Sequence, residues 1–337
     1  MTPSPAAAAN SRITTLAADR AIHRAFHWLH LYEQQLQRWQ REFVAIPAPP
    51  FGEADRAAWF ATHFTEIGLT NAHLDHEGNA LAELPSPHNS DSVILLSAHL
   101  DTIFPAGTDC TPREDEDGRL LCPGATDNGA GLAALLAIAA ALQFAQTEAG
   151  YTLPTTILFA ANVGEEGEGD LRGMRHLFSD ASPYANRIRA AIALEGGGAT
   201  SVVDRALGSR RLRVDITGPG GHSWADAGLP SPIIALAAAL TELTHLALPS
   251  NPRTTLNCGT ISGGTSVNSI PSSATADLDL RSTSTQELDS LESLVLSTLS
   301  KCVKAEARRG RTRDTQRHRE TLRITVRRIG NRVAGIL

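Results

Sequence analysis

Four short stretches of the 337-residue sequence place imidazole and carboxylate groups where they could act together. They are His99-Leu100-Asp101, the Asp127 of Gly124-Ala125-Thr126-Asp127-Asn128-Gly129, the adjacent Glu165 and Glu166, and Glu195 in Leu194-Glu195-Gly196-Gly197-Gly198. Three of them end apolar runs that read as buried strands: Val93 to Ala98, Thr155 to Ala161 and Ala190 to Leu194. Asp127 stands just before a long apolar helix. Open α/β sheets bind ligands at the carboxyl ends of their strands, so these groups should converge there. Several carboxylates in one cleft repel each other, and burying them unpaired is costly. A divalent cation removes both problems. Imidazole with several carboxylates suits zinc, with manganese or cobalt as substitutes.

Each element has an ordinary explanation when taken alone. H-x-D is common, and its spacing of two puts both side chains on one side of an extended chain. Asp127 would serve as a helix N-cap. Glu165 and Glu166 would suit a solvated loop, and Glu195 a turn. The coincidence of four such sites at strand ends favours a metal centre.

The elements that must position them follow from periodicity. Residues 21–45 carry Phe26, Leu29, Tyr32, Leu36, Trp39 and Phe43 at helical spacing, ending at Ile46-Pro47. A second helix covers 53–67, with Gly68 as its stop. Strands then alternate with helices at 129–145 and 170–180, which implies an α/β fold with a mostly parallel sheet sandwiched by helices. After residue 207 the order becomes β-α-β-β-α-β, the split arrangement of a ferredoxin-like α+β domain inserted into the first. The expected organisation is a disordered leader at 1–20, a catalytic domain at 21–206, a lid domain at 207–326 and a return to the catalytic domain at 327–337.

Composition fits a soluble globular protein, at 42% hydrophobic and 20% charged residues. Gly129 to Phe144 is short for a membrane span and reads as a buried helix. The N-terminus lacks a secretory signal pattern, and four cysteines without a C-x-x-C pair suit a reduced, cytoplasmic protein. Net charge is −6, although residues 301–332 hold twelve Lys/Arg against three acids. With no interleaved aromatics, this basic end reads as a solvated face rather than a nucleic-acid site. His23, His27, His30 and the scattered His63, His73, His76, His88, His176, His245 and His318 read as surface residues.

The motifs Ser97-Ala98-His99-Leu100-Asp101-Thr102, Gly124 to Gly129, Glu165-Glu166-Gly167 and Gly220-Gly221-His222-Ser223 together resemble the aminoacylase, carboxypeptidase G and peptidase T family of two-zinc hydrolases. Ile46 to Glu53 is similar to its N-terminal signature, and Gly263 to Pro271 to its lid signature. The resemblance implies that His99, Asp127 and Glu195 hold one zinc. Asp127 would bridge to a second that also takes Glu166. Glu165 would be the general base on a zinc-bound water, with Asp101 supporting His99. The Asp127-Asn128 peptide would be cis. His222 would reach across a homodimer as an oxyanion donor, and Asn268 and Arg281 would contact substrate. The implied activity is hydrolysis of amide bonds in small peptides or N-acyl amino acids. Similarity of Gly164 to Gly173 to the tripeptidase branch favours peptides.

Family chains usually continue beyond the lid and supply a last histidine to the second zinc. Here the return resembles Ile329-Gly330-Asn331-Arg332, and no histidine follows His318. The expectation is therefore a C-terminally truncated catalytic domain with an incomplete second zinc site and an open sheet edge. The alternative function is a non-catalytic remnant that binds one metal or dimerises through the lid.

Overall fold

The computed structural model describes residues 5–88, 91–196, 198, 200–311 and 321–336. His318 and the rest of 312–320 in the basic segment lie outside them, as does Gly197. The chain divides into two compact units at Ser201/Val202.

Unit 1 opens with helices α1 (Pro5–Ala17), α2 (Arg20–Leu31), α3 (Glu33–Val44) and α4 (Ala54–Ile67). Residues 5–17 are helical where a disordered leader was expected; the alanine-rich PAAAANSRITTLA has high intrinsic helix propensity. Residues 1–4 of that leader lie outside the described residues. The single helix expected over 21–45 is two, because the chain breaks at Tyr32 (φ −104°, ψ 16°). Both halves keep the apolar period, so periodicity alone could not reveal the break. Gly68, left-handed at φ 92°, closes α4.

The strands are β1 (Thr70–Leu74), β2 (Ala80–Leu84), β3 (Val93–His99), β4 (Thr156–Asn162) and β5 (Ile188–Ala193), with α5 (Gly129–Glu148) and α6 (Arg172–Leu177) between them. The sheet order is β1-β2-β4-β3-β5. β3 runs parallel to β4 and β5, while β1 and β2 add an antiparallel side. Every residue of β4 is buried, which explains its unbroken apolar run. Phe43, Phe60, Phe64, Leu132, Leu135 and Phe159 pack α3, α4 and α5 onto one face of the sheet. Leu177 and Tyr184 cover Leu81, Leu95 and Leu158 on the other. α5 is long and apolar enough to cross a membrane, yet half of its most apolar window is buried inside this unit. Ala141 and Ala145 also meet Ala25 of α2. β5 forms an edge, exposed from Arg189 to Ala193.

Unit 2 contains β6 (Gly208–Thr217), α7 (Pro232–Thr244), β7 (Thr254–Gly263), β8 (Ser273–Ser282), α8 (Thr285–Arg311) and β9 (Arg323–Arg332). The sheet order β7-β8-β6-β9 is antiparallel throughout and ferredoxin-like. Leu212, Val214, Leu278 and Leu280 face Leu236, Leu288, Val295 and Leu299 of the two helices. The last strand was expected to end at 326, with a return to the first domain from 327. Instead β9 stays paired with β6 through Arg332, and Gly335–Ile336 pair with Arg205–Ala206 in the same unit. The basic side chains assist this: Arg328 donates to Glu292 at 2.7 and 2.6 Å, and Arg327 to Asp215 at 3.2 Å.

Candidate metal centre

The parallel pairing of β3, β4 and β5 brings three strand ends to one rim. His99 is level with Asn162 at the end of β4. The Leu194 amide donates to the Ser97 carbonyl at 2.7 Å, which fixes the chain just before Glu195. The Leu100 amide donates to the Asn162 carbonyl at 2.7 Å. His99 is therefore held on both sides, and it is 4% exposed.

Asp127 arrives from the start of α5, through a cis Asp127-Asn128 peptide. Asn128, not Asp127, caps that helix: its Oδ1 accepts from the Gly131 amide at 3.1 Å. Its Nδ2 donates to the Leu194 carbonyl at 2.9 Å, tying α5 to the end of β5. With the cap supplied by its neighbour, the Asp127 carboxylate turns to His99, 3.1 Å from Oδ1 to Nε2. Glu195 places Oε2 3.7 Å from the same Nε2, while its Oε1 accepts from the Gly196 amide at 2.8 Å. Donor atoms of His99, Asp127 and Glu195 all lie within 4.8 Å of one another. A second group, His99 with Glu165 and Glu166, meets the same limit.

Asp101, with no exposed surface, ties these groups together. His99 Nδ1 lies 2.9 Å from the Asp101 carbonyl oxygen and 3.5 Å from its carboxylate. The carboxylate accepts from two successive amides, Glu165 at 2.9 Å and Glu166 at 2.7 Å. Asp101 thus orients the imidazole and also holds the backbone of the paired glutamates.

The electrostatics follow from this crowding. Burial pulls the His99 pKa down, but Asp101, Glu195 and Glu165 outweigh it and raise the value to about 9. Burial pushes Asp101 up, and the opposing bonds from His99 and the two amides leave it below the usual carboxylate range. Glu166 is raised, first by burial and then by Asp127. A cluster in which burial and Asp127 raise Glu166, around an imidazole that the neighbouring carboxylates render basic, gains from a shared cation.

The donor set fits one. Four-coordinate zinc with bonds of about 2.0–2.2 Å places neighbouring ligand atoms roughly 3.3–3.6 Å apart. The 3.1 and 3.7 Å spacings around His99 Nε2 bracket that value.

The remaining residues singled out in the sequence lie in unit 2. His222 and Asn268 are neighbours there: Gly221–His222 pair with Ser269–Ile270, and the Ser223 amide donates to the Asn268 carbonyl at 3.0 Å. His222 Nδ1 accepts from the Trp224 and Ala225 amides at 3.2 and 3.3 Å. Arg281 on β8 is exposed and donates to Asp279 at 2.7 Å.

Sequence reasoning assigned no role to Glu53, Arg172 or Asn128. Glu53 is 2% exposed; its carboxylate accepts from the Gly164 amide at 3.1 Å and from Arg172 at 2.7 Å. Glu53 and Arg172 were legible only as parts of longer motifs, since neither belongs to a periodic pattern. An asparagine directly before a helix is a capping signal, and it could have identified Asn128.

Residues 79–211 match the family described as peptidase family M28, and residues 206–306 match the peptidase dimerisation domain. A probable carboxypeptidase of Aspergillus clavatus is 28% identical over 267 residues, which cover 73% of this chain and 57% of that relative. The chain thus spans little more than half of its length. Aminopeptidase PepT of Bacillus cereus shares the fold at TM-score 0.68 and 20% identity, over 90% of this chain and 77% of that one. A dinuclear metal-binding peptidase of the M20 family from Bacillus subtilis does so at TM-score 0.61 and 14% identity, over 90% and 76%. One family match runs across the strand-end cluster and the other across the second unit, in keeping with the resemblance of the motifs to the aminoacylase, carboxypeptidase G and peptidase T-like metallopeptidases.

Proposed function

We propose that the chain hydrolyses amide bonds in small peptides or N-acyl amino acids at the strand-end cluster, with a zinc ion held by His99, Asp127 and Glu195. The observation that carries this reading is the convergence of Asp127 and Glu195 on His99 Nε2, at 3.1 and 3.7 Å. A divalent ion held there supplies Lewis-acid chemistry, polarising a scissile carbonyl and acidifying water. Glu165 takes the proton of the attacking water and returns it to the nitrogen of the leaving amine. Asp101 keeps Glu165 and Glu166 on the cluster side by their amides, and keeps the His99 ring in place. Glu166 and Asp127 would hold a second divalent ion.

His222 serves as oxyanion donor in a homodimer, and Asn268 and Arg281 contact the substrate. The match of 206–306 to a dimerisation domain supports that assembly. The carboxypeptidase name of the Aspergillus clavatus relative and the aminopeptidase name of the Bacillus cereus structure both support a peptide substrate.

The test is to load the purified chain with zinc, measure metal per chain, and assay small peptides and N-acyl amino acids beside Glu165→Gln. The expected result is turnover that Glu165→Gln abolishes while metal content is unchanged. Undiminished turnover in Glu165→Gln would overturn the role of Glu165. Bound metal without turnover in the unaltered chain would favour a metal-binding protein without catalysis.

A further inference from the structure

The geometry points to Glu53 and Arg172 as a positioning pair that aims Glu165, an inference that rests on the hydrolytic role proposed above. Three consecutive amides, those of Gly164, Glu165 and Glu166, donate to two buried carboxylates from distant parts of the sequence. Asp101 takes the second and third and also touches His99. Glu53 takes the first, at 3.1 Å, and is in neither group of candidate metal ligands.

Glu53 occupies the N-cap position of α4 yet makes no side-chain cap bond there. Here the carboxylate is diverted into the interior, with its second oxygen 2.7 Å from Arg172 Nη2. The guanidinium is fixed in turn. Its Nη1 donates to the Glu77 carbonyl at 2.7 Å, and its Cζ sits 5.2 Å from the centroid of the Phe51 ring. Glu53 is 2% exposed, so removing either partner of the pair is felt by what the other holds.

The object held is a turn that few sequences can form. Gly164 has φ +64°, and a Cβ placed on it would lie 2.6 Å from Arg172 Cγ. The backbone leaves β4, turns sharply at Gly164 against the Arg172 stem, and delivers Glu165 and Glu166 in succession. Asp101 fixes where the two glutamates are. Glu53, through Gly164 and Arg172, fixes the direction from which the chain enters them. A general base must lie within hydrogen-bond reach of the proton it takes, so a small rotation of this turn reduces the rate without removing any donor of the cluster.

The experiment compares the zinc-loaded chain with Glu53→Ala and Glu53→Gln, using hydrogen exchange read by mass spectrometry, metal content and steady-state kinetics. Gln keeps an acceptor for the Gly164 amide and loses the charge facing Arg172. Faster exchange confined to residues 163–171 is expected in Glu53→Ala, with metal content unchanged. kcat should fall by about tenfold or more at nearly constant KM, with partial recovery in Glu53→Gln. Unchanged local exchange in both variants would overturn the proposal. So would faster local exchange with an unaltered kcat. Exchange that rises across the whole of unit 1 would assign Glu53 to general stability instead, and would equally overturn it. If Glu53→Ala does not fold, the same comparison is read on Glu53→Gln. If the unaltered chain shows no turnover, the hydrolytic reading fails, and local exchange alone decides whether Glu53 holds the turn.

Discussion

Asp101→Asn separates the two tasks that one buried carboxylate performs. Asparagine keeps the size of aspartate but has one acceptor oxygen and an NH2 group. Asp101 accepts from Glu165 at 2.9 Å and Glu166 at 2.7 Å, one amide on each oxygen. In the variant one amide keeps a weaker, neutral acceptor, and the other faces a donor. Weakening one charge-assisted bond costs about 1 kcal/mol, and leaving a buried N–H unpaired costs about 1–3 kcal/mol. Relief of the buried charge offsets part of this. The expected loss is about 2–3 kcal/mol, read by urea unfolding of the metal-free protein so that ligand linkage does not enter. The same change removes the negative charge 3.5 Å from His99 Nδ1. Metal affinity should fall by about 10–100-fold, measured by competition with a chelator. A stability change within about 0.5 kcal/mol together with unchanged metal affinity would refute the reasoning, because it would mean that Asp101 holds neither the glutamate turn nor the imidazole.

Three further outcomes are expected. Asn128→Ala removes the cap bond to Gly131 and the tie to the Leu194 carbonyl, and unfolding should come about 1–3 kcal/mol earlier; a neutral result would show that the end of β5 is held without it. Gly131→Ala would place a Cβ 2.1 Å from Asn128 Oδ1 and 2.6 Å from the Leu194 carbonyl. Thermal melting should therefore show a net loss despite the gain of about 1 kcal/mol in helix propensity, and a rise in Tm would contradict the contact. Burial pushes the Glu292 pKa up, but Arg328 and Arg210 outweigh it and hold the group below its ordinary value. The unfolded state then takes up the proton first as pH falls, so this stabilisation is complete above the ordinary value of about 4.3 and is lost below it. Glu292→Gln should accordingly be less stable than the parent at pH 7, with the difference shrinking below about pH 4; a gap independent of pH would disprove the assignment.

Much of the site was legible because its side chains sit at the ends of apolar runs. Val93 to Ala98 and Thr156 to Ala161 could hardly be anything but interior strands, and the polar residues that follow them must lie at one rim once the strands are parallel. The order of elements in the second unit was equally plain, since period-two and period-3.6 patterns alternate cleanly there. The break at Tyr32 was not legible, because α2 and α3 continue the same apolar stripe across it. The extension of β9 to Arg332 was hidden by its charges, which pair with Asp215 and Glu292 on neighbouring elements.

The sequence by itself determined which groups could ligate a cation, because donor chemistry is a property of residue type, and it determined that strand ends would carry them. Only the tertiary structure decided how they are held. Asn128 rather than Asp127 caps α5, and Asp101 grips the amides of Glu165 and Glu166. Glu53 turns from its own helix to Gly164 and Arg172. All but the Arg172 pair are bonds between side chains and backbone amides 3 to 111 residues apart, and backbone amides are the same at every position but proline. Their partners are therefore chosen by distance and direction in the folded chain, which residue identity does not encode.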